Sequence, residues 1–375
     1  MYLFIGIAIF IILIIIIKSR FNFWSYQPVF HFYDIHYWFN SIGIKNHDLP
    51  AKNKYYNSQI KTIKFATLTK SKLQQALKLI QTNYLKNNEN IFYPLTKNIM
   101  PYFLSHNFPC FISLFEESDQ VRGLITTRPL NVSINNCNEN AKFGVYYVDY
   151  LCVDVKHRKI GIAPQLIQTH EYNQRHSNNK ISASLFKREG VLTGIVPLCV
   201  YKTYCFNMAG WCQPEYFQKK KLVKCDAQNI YALRDFINDN PFAINIVSEY
   251  SNILTLIETK NIYVYILLEN SQIISTYFFR KTCVYIKKNM EVISCFASIN
   301  ATSLKSFTHG FKLALSAIVR SHTFHYLAIE NISHNNYIID NIKLKTRPLF
   351  DSPTAYFFYN FIYSTFKSNT VLIIN

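Results

Sequence analysis

The sequence predicts an α/β fold of the α+β type, in which two tandem units follow an N-terminal transmembrane helix. Three observations support this prediction. Residues 1–17 carry no charged side chain and are dominated by Ile, Leu and Phe. Beyond them, helix-period and strand-period patterns follow in the order helix, hairpin, strand, glycine-containing turn, helix, strand. A similar order recurs in the second half without a visible sequence repeat. We therefore divide the chain into a transmembrane segment 1–20, an arm 21–62, a first unit 63–215 and a second unit 216–375.

The first unit begins with a helix, because apolar residues recur at helical spacing after the possible caps Thr69 and Ser71. This stripe consists of Leu73, Ala76, Leu77, Ile80 and Tyr84. A hairpin, a long β-rich segment, a turn, a second helix and a last strand follow. The second helix carries Leu166, Ile167 and His170 on one side. The predicted strands lie at 110–115, 121–127, 146–153 and 181–186.

The second unit is predicted from the same kinds of pattern. Two β-rich segments form a hairpin, and a strand, a helix and a further strand come after it. The helix is marked by the stripe Leu304, Phe307, Phe311, Ala314 and Ile318. The strands are expected at 263–268, 272–279, 292–297 and 326–330, and the boundary between the units near 213–225.

Composition limits the classes of protein to consider. A chain of 375 residues exceeds the usual single-domain size, and 49% hydrophobic residues suffice for large cores. The net charge of +18 indicates an anionic partner, which could be nucleic acid, an acidic membrane surface or a polyphosphate such as coenzyme A. Nucleic acid is least favoured, because the chain has no zinc-finger spacing, RNP-like motif or Arg-rich arm.

The cysteines indicate neither a metal site nor a disulfide framework. The chain has 9 of them, an odd number, and no CxxC pair. The nearest cluster, Cys199, Cys205 and Cys212, lacks the spacing of metal ligands. We expect reduced, mostly buried thiols in a cytosolic compartment, and no metal.

Residues 1–17 predict an uncleaved membrane anchor. At about 1.5 Å per residue this stretch would span roughly 26 Å, near the lower limit for crossing a bilayer. Bulky aromatic residues rather than a small-residue cleavage site follow it. Lys18 and Arg20 come directly after the apolar run, so the positive-inside rule places the rest of the chain in the cytosol.

The most informative segment of the chain is 149–164. Asp149-Tyr150-Leu151-Cys152-Val153 reads as a β-strand with a splayed end, and Arg158-Lys159-Ile160-Gly161-Ile162-Ala163-Pro164 as a turn and a helix that opens with proline. Amides freed where a strand parts from its neighbour can stabilise the oxyanion that forms when an amine attacks a thioester. Amides at a helix N-terminus favour a pyrophosphate, here with Gly161 allowing close approach. This order of elements is that of the GNAT acyltransferase fold.

Together with Phe23-Trp24-Ser25-Tyr26-Gln27-Pro28-Val29, this segment closely resembles the protein N-myristoyltransferases, and the resemblance covers nearly everything after residue 20. It implies two tandem GNAT-like domains, with the second binding the peptide, and myristoyl-CoA as co-substrate. It assigns the oxyanion amides to Tyr150 and Leu151. The residues it implies for coenzyme A are Asn22, Phe23, Trp24, Tyr150, Leu151, Cys152, Val153, Arg158, Lys159, Gly161, Ile162 and Ala163.

The resemblance extends to the end of the chain. Tyr356-Phe357-Phe358-Tyr359-Asn360-Phe361 is similar to the family's penultimate strand. In the family the C-terminal carboxylate is buried and deprotonates the substrate's glycine ammonium, and the matching group here is the α-carboxylate of Asn375. The apolar run 371–374 would carry it inward as a buried strand. Direct attack without a metal or a covalent enzyme intermediate is implied.

The chain also departs from the family pattern. The usual serine-lysine-arginine phosphate turn is Lys159-Ile160-Gly161, and the asparagine before the oxyanion pair is Asp149. The glycine-pocket segment is Arg188-Glu189-Gly190, which keeps Gly190 as a peptide-binding residue. The acidic loop that normally reads a basic substrate residue is replaced by 86–89, although Phe92 beyond it fits the pattern.

Three functions remain open from the sequence. The first is transfer of myristate to N-terminal glycines of peptides and proteins by a monomeric, membrane-anchored enzyme that faces the cytosol. The second is a catalytically inactive relative that binds acyl-CoA or acylated proteins at a membrane, which Asp149 and Arg188-Glu189 motivate. The third is a GNAT enzyme with another acyl donor or acceptor, such as a lysine side chain.

Overall fold

The fold is described from a computed structural model of the 375-residue chain. It describes residues 2–20, 22–40, 42–85, 90–136, 139–190, 194–287 and 289–375.

The N-terminal part is helical at first. Helix α1 spans Tyr2–Arg20, and the short elements α2 (Asn22–Ser25), α3 (Ile35–Asn40) and β1 (Gly43–Ile44) follow. Within the described part of the chain, no helix combines the length and apolar character needed to cross a membrane. This finding does not support the transmembrane helix predicted for residues 1–20.

The predicted arm packs onto the protein, as expected. Val29 is fully buried and Phe30 is 4% exposed. Val29 belongs to a small core with Ile195, Ala355 and Phe357, which come from much later in the chain. The arm is therefore fixed against the strands that surround the candidate site.

The first unit contains the predicted elements and several that the sequence patterns did not reveal. Its helices are α4 (Lys70–Asn83), α5 (Thr96–Ile99) and α6 (Ile162–Ser177). Its strands are β2 (Lys61–Lys64), β3 (Asn90–Phe92), β4 (Phe111–Glu117), β5 (Gln120–Asn136), β6 (Glu139–Val153), β7 (Ala183–Glu189) and β8 (Cys199–Asn207). As predicted, Thr69 caps α4 by accepting the Lys72 amide at 3.4 Å, and Ala76 and Ile80 are buried.

The second unit repeats this kind of arrangement. Its helices are α7 (Ile230–Asp239), α8 (Tyr250–Glu258), α9 (Leu304–Ser321) and α10 (Asn335–Lys343). Its strands are β9 (Lys220–Lys224), β10 (Ile244–Val247), β11 (Ile262–Glu269), β12 (Gln272–Ile286), β13 (Glu291–Asn300), β14 (Tyr326–Glu330), β15 (Phe350–Tyr359), β16 (Phe361–Ile362) and β17 (Val371–Ile374). The predicted stripe of α9 is buried at Phe307, Phe311, Ala314 and Ile318.

One sheet joins the two units. Its 15 described strands follow the main order β17-β10-β5-β6-β7-β15-β8-β14-β13-β12-β11-β9, with β2 beside β4 and β3 beside β12. Strand β15 lies between β7 and β8, and β10 with β17 extends the edge of β5, so strands of the second unit enter the first. The domain division at residues 215 and 216 stays a prediction, because the hydrogen-bonded ladder crosses it.

Candidate active site

Strands β6 and β7 part where the sequence predicts a splayed strand end. They pair in parallel only from Val145 to Val148. Directly beyond this point, the register between β5 and β6 shifts, so that Thr126 lies opposite both Asp149 and Tyr150. Such a bulge bends the strand and re-aims its amides and side chains. The opening therefore begins at the predicted residues.

The amide of Tyr150 already has a partner. It donates a hydrogen bond to Thr126 Oγ1 at 3.2 Å. The expectation that the splay leaves this amide free is wrong for the structure described here, because the bulge brings the Thr126 hydroxyl against it. An oxyanion can take this donor only after the hydroxyl releases it.

A cavity of about 520 Å³, called the catalytic cavity below, opens beside Tyr150. Phe92 and Tyr84 also line it, and the rings of Tyr84 and Phe92 lie with their centroids 5.5 Å apart. The centroid of Tyr150 is 5.4 Å from that of Tyr84 and 6.3 Å from that of Phe92. The structure thus brings the predicted peptide-binding Phe92 to the predicted oxyanion residue.

Gly190 lies just outside this lining. It has φ +86° and donates its amide to Pro353 O at 3.0 Å, whereas Glu189 before it lines the cavity. The positive φ explains a glycine at this point. The substituted acidic loop 86–89 lies outside the described residues.

A buried ion pair forms one wall of the catalytic cavity. Arg128 Nε donates to both carboxylate oxygens of Asp149, at 3.1 and 3.0 Å, and Arg128 is only 1% exposed. The guanidinium also lies over the rings of Tyr102 and Tyr147. Burial raises the pKa of Asp149, against the opposing effect of Arg128. Asp149, which stands where the family usually has asparagine, is therefore balanced by the positive charge of Arg128.

The chain end is buried, as the sequence predicts. Strand β17 pairs in parallel with β10, and Ser248 N donates to Ile374 O at 2.8 Å. Asn375 is 4% exposed. Arg280 Nη2 donates to a terminal carboxyl oxygen of Asn375 and, at 2.6 Å, to its Oδ1. Because Arg280 also lines the catalytic cavity, the carboxylate is tied to the cavity wall.

A second ion pair lies along the same cavity. Lys187 Nζ is 3.1 Å from Glu330 Oε1, and the Tyr201 hydroxyl donates to the other carboxylate oxygen. Sequence reasoning missed Arg128, Arg280, Lys187 and Glu330 as site residues. One signal was available, because Arg280 directly follows the apolar Tyr277-Phe278-Phe279 at the end of the predicted strand 272–279, and a charged residue that packs inside rarely lacks a partner or a function.

The turn before α6 places its glycine in the left-handed region of backbone φ. Gly161 caps the helix with φ +91° and accepts the Gln165 amide at 3.2 Å. Helix α6 begins at Ile162, so Pro164 is its third residue and not its first. The prediction of proline at the first helical position is therefore wrong by two residues. Pro164 still lies among the first four helical residues, whose N–H groups have no partner within the helix.

The basic side chains of this turn are placed differently from the expectation. Arg158 donates from Nε to Val153 O at 3.1 Å and from Nη2 to Asn83 O at 2.6 Å. Lys159 adopts φ +67° and is exposed. Arg158 thus fastens the turn to α4, and the amides of Ile162 and Ala163 are the groups that point out of the helix end.

The arm lies across β7. Trp24 stacks on Phe186 with centroids 5.4 Å apart and an interplanar angle of 14°, and Phe23 packs on Tyr55. Asn22 O accepts the Ser25 hydroxyl at 2.7 Å. Cys152 and Val153 are buried, and burial raises the pKa of the Cys152 thiol to about 12, so this cysteine is not a reactive thiolate.

Two further cavities border these elements. One, of about 520 Å³, lies under the arm against Gln168, Glu171 and Arg175 of α6. The other is apolar, lies between α4 and the sheet beside Tyr150, and holds only about 10 Å³, which is room for about one water. Among the described residues, no cluster of His, Cys, Asp and Glu could hold a metal ion.

Comparison with known family models gives one match. Residues 43–199 match the model of the family described as myristoyl-CoA:protein N-myristoyltransferase, N-terminal domain. This part of the chain is similar to the N-terminal domain of the N-myristoyltransferases. The match includes the predicted oxyanion strand, confirms the resemblance drawn from the sequence and indicates an acyltransferase.

Solved structures show the same fold. The N-myristoyltransferase of Saccharomyces cerevisiae with bound myristoyl-CoA is similar with a TM-score of 0.74 at 13% identity, over 93% of this chain and 94% of that chain. A second structure of the yeast enzyme with myristoyl-CoA gives a TM-score of 0.75 at 13% identity, over 93% and 90%. A tandem GNAT protein from the clavulanic acid biosynthesis pathway gives 0.55 at 10% identity, over 80% and 98%. No curated protein sequence matches the chain.

Proposed function

We propose that this protein transfers a myristoyl group from myristoyl-CoA to the N-terminal glycine amine of peptides and proteins. The observation that carries the proposal is the buried terminal carboxyl group of Asn375, held by Arg280 at the wall of the cavity that Tyr150 also lines. A chain end is normally mobile and solvated, so its burial against a cavity calls for a function.

The proposed reaction is a direct acyl transfer. The Asn375 carboxylate accepts a proton from the glycine ammonium, and the free amine then attacks the thioester carbonyl carbon. The amides of Tyr150 and Leu151 stabilise the resulting oxyanion, which collapses by breaking the C–S bond. Coenzyme A leaves as the thiolate, takes up the second proton of the attacking nitrogen, and the amide bond remains.

Two side chains influence this reaction, one at the oxyanion amide and one at the base. The Thr126 hydroxyl must turn away from the Tyr150 amide before that amide can bind the oxyanion. Arg280 holds the base in place, and its positive charge makes the carboxylate a weaker proton acceptor than it would be alone.

For coenzyme A we propose the α6 turn, the arm and the strand after the splay. The amides of Ile162 and Ala163 and the exposed Lys159 would hold the phosphates, with Gly161 giving access and Arg158 fixing the turn. Asn22, Phe23 and Trp24 would close over the cofactor, and Leu151, Cys152 and Val153 would form the wall beneath it. Phe92 and Gly190 would contact the peptide.

A transfer assay tests the function directly. The full chain is incubated with labelled myristoyl-CoA and a panel of peptides that begin with glycine, with a matched panel in which alanine replaces the glycine. Transfer to the glycine panel alone is expected. Complete inactivity together with intact acyl-CoA binding would defeat the proposal. A series of acyl-CoA donors with chains of 10 to 18 carbons, in steps of two, then shows which chain length is transferred fastest.

A catalytically silent acyl-CoA binder is the second candidate, favoured by the occupied Tyr150 amide and by Asp149 and Arg188-Glu189 in place of the family's residues. Calorimetry with a non-hydrolysable myristoyl-CoA analogue, run beside the transfer assay, separates it from the enzyme. Transfer to a lysine side chain is a further alternative, and mass spectrometry of a lysine-containing peptide with a blocked N-terminus tests it.

We also propose a monomer whose catalytic part faces the cytosol at a membrane. The support is the charge-free run 1–17 followed by Lys18 and Arg20. Fractionation of cells that express the full chain or a chain starting at residue 21 tests the location. Equal amounts of both proteins in the soluble fraction would contradict it.

A further inference from the structure

A groove on the second unit lies apart from the catalytic cavity. It runs between α9, α10 and the segment 208–214, and its volume is about 550 Å³. No residue that lines it also lines the catalytic cavity. This volume is within the range of cavities that hold small ligands. It is called the α9–α10 groove below.

Apolar side chains form one continuous part of the α9–α10 groove, although Ser316 and Asn341 also line it. Phe311 and Leu315 are 1% and 4% exposed and lie on one face of α9, four residues apart, while Ile342 contributes from α10. Trp211 forms the opposite wall and packs against the same core. An alkyl chain fits such a lining better than a sugar or a nucleobase, because it needs no hydrogen-bond partners.

The charged residues of the groove are all cations. They are Lys312 and Arg320 on α9 and Lys345 beyond α10, and no acidic residue is among the groove's lining. Arg320 donates to the Tyr216 hydroxyl at 2.9 Å. Within the described ranges of the chain, neither Lys312 nor Lys345 forms an ion pair through its side chain. Burial, and then the nearby Lys345, lowers the pKa of Lys312, so two ammonium groups share the groove without a counter-charge.

We propose that the α9–α10 groove binds a long-chain fatty acid, with the alkyl chain along Phe311 and Leu315 and the carboxylate between Lys312 and Lys345. The apolar side chains favour an alkyl chain, and the two lysine ammonium groups favour a negative charge at one end of it. Inorganic phosphate would leave the walls uncovered, and a neutral lipid would leave the lysines unpaired. The site is independent of the transferase reaction and would operate in an inactive relative as well.

Fluorescence titration of the full chain with myristate tests the proposal, because Trp211 lies in the groove wall. The catalytic site is first saturated with a non-hydrolysable myristoyl-CoA analogue, and a parallel titration of Trp211→Phe shows how much of the signal comes from the groove. Saturable quenching is expected at myristate concentrations below its critical micelle concentration. Binding of tetradecanol, which has the same chain without the charge, should be at least about tenfold weaker.

Two variants and one control locate the site. Lys312→Gln with Lys345→Gln should weaken myristate binding at least about tenfold, and Leu315→Trp should abolish it by filling the groove. Lys305→Gln, an exposed lysine of α9 outside the lining, is the matched control and should leave binding unchanged. Thermal unfolding of each protein shows that it is folded.

A second readout does not depend on fluorescence. Cys212 lines the groove and is exposed, so bound myristate should slow its alkylation. Equal affinity for myristate and tetradecanol, unchanged binding to the double lysine variant, or competition by the myristoyl-CoA analogue would each overturn the proposal. All of these measurements record binding to the groove while the catalytic site is already occupied. A negative result therefore rules out the fatty-acid site without bearing on the transferase function.

Discussion

Arg280 binds the last residue of the chain, Asn375, through both a terminal carboxyl oxygen and the side-chain Oδ1. The two residues are 95 positions apart, and strand β17 brings them together by pairing with β10. A carboxylate at 4% exposure needs a counter-charge, because an isolated buried ion is costly. This contact is what makes a buried chain end possible in this protein.

Replacing Arg280 tests whether it holds the base. Arg280→Gln leaves the terminal carboxylate without its partner, so we expect unfolding free energy to fall by about 3–5 kcal/mol. We also expect kcat to fall at least about tenfold, and the acidic limb of the pH–rate profile to move to higher pH. Steady-state kinetics between pH 5 and 9 measures both.

Lys281→Gln is the matched control for that experiment, because the neighbouring lysine is 26% exposed and lies 3.7 Å from Glu291. Its kcat and pH profile should stay close to those of the parent protein. If Arg280→Gln lowered stability but left the pH–rate profile unmoved, Arg280 would be a structural residue only.

The Arg128–Asp149 pair should be strongly coupled. Because Arg128 is 1% and the Asp149 side chain 12% exposed, removal of either partner leaves a charge without compensation. We expect Asp149→Asn and Arg128→Gln to destabilise the fold by about 2–4 kcal/mol each, and the double variant to lose clearly less than the sum. Denaturant unfolding of the four proteins gives the coupling energy.

The exposed pair Arg234–Asp235, at 2.9 Å, serves as the reference cycle, and its coupling should stay below about 1 kcal/mol. Additive effects at Arg128 and Asp149 would show that they are independent.

Thr126→Val frees the Tyr150 amide without changing side-chain volume much. If that amide binds the oxyanion, kcat should be equal to or above that of the parent protein, while unfolding free energy falls by about 1 kcal/mol. Thr127→Val is the neighbouring control, since the Thr127 hydroxyl bonds His170 at 2.9 Å, away from the oxyanion strand. A tenfold loss of kcat in Thr126→Val, with acyl-CoA affinity unchanged, would assign the role to the hydroxyl instead.

Two neighbouring residues of α6 should impose opposite pH dependences on stability. Burial lowers the pKa of His170 from 6.5 to about 4, so the unfolded chain binds this proton more strongly and stability falls as pH drops through that window. Burial raises the pKa of Glu171 from 4.5 to about 7, so the folded chain holds this proton and stability falls as pH rises through that window.

Each effect amounts to roughly 3 kcal/mol at full size. His170→Gln should therefore leave a protein that loses stability between pH 4.5 and 7, and Glu171→Gln one that loses stability between pH 6.5 and 4. Urea unfolding at five pH values separates them. Parallel curves for the two variants would contradict the assignment.

Local patterns predicted the elements with strong periodicity. The stripes of α4 and α9 and the strand at Tyr150 were readable because burial imposes period 3.6 or 2 on the sequence. The family motifs then located the splay and the chain end. Helices α7, α8 and α10, of 10, 9 and 9 residues, are short enough for their patterns to be ambiguous, and they were missed.

The rest depends on contacts between distant parts of the chain. No local sequence pattern predicts that β17 pairs with β10 or that Arg280 binds Asn375. The same holds for the hydrogen bond from the Tyr150 amide to the Thr126 hydroxyl. The apolar run 1–17 has a pattern typical of a membrane span, and that prediction has no support from the helices in the described part of the chain. The site's charges were therefore less predictable than its backbone.

The central claim is that the α-carboxylate of Asn375 accepts the proton from the substrate amine. A protein with a C-terminal carboxamide, made by ligating a short synthetic end to the expressed chain, removes this charge and keeps the side chain and volume; the same ligation with a free acid is its control. In single-turnover transfer to an N-terminal-glycine peptide, we predict a rate at least about 100-fold slower for the carboxamide, with acyl-CoA affinity unchanged. Equal rates for the carboxamide and the free acid would contradict the account.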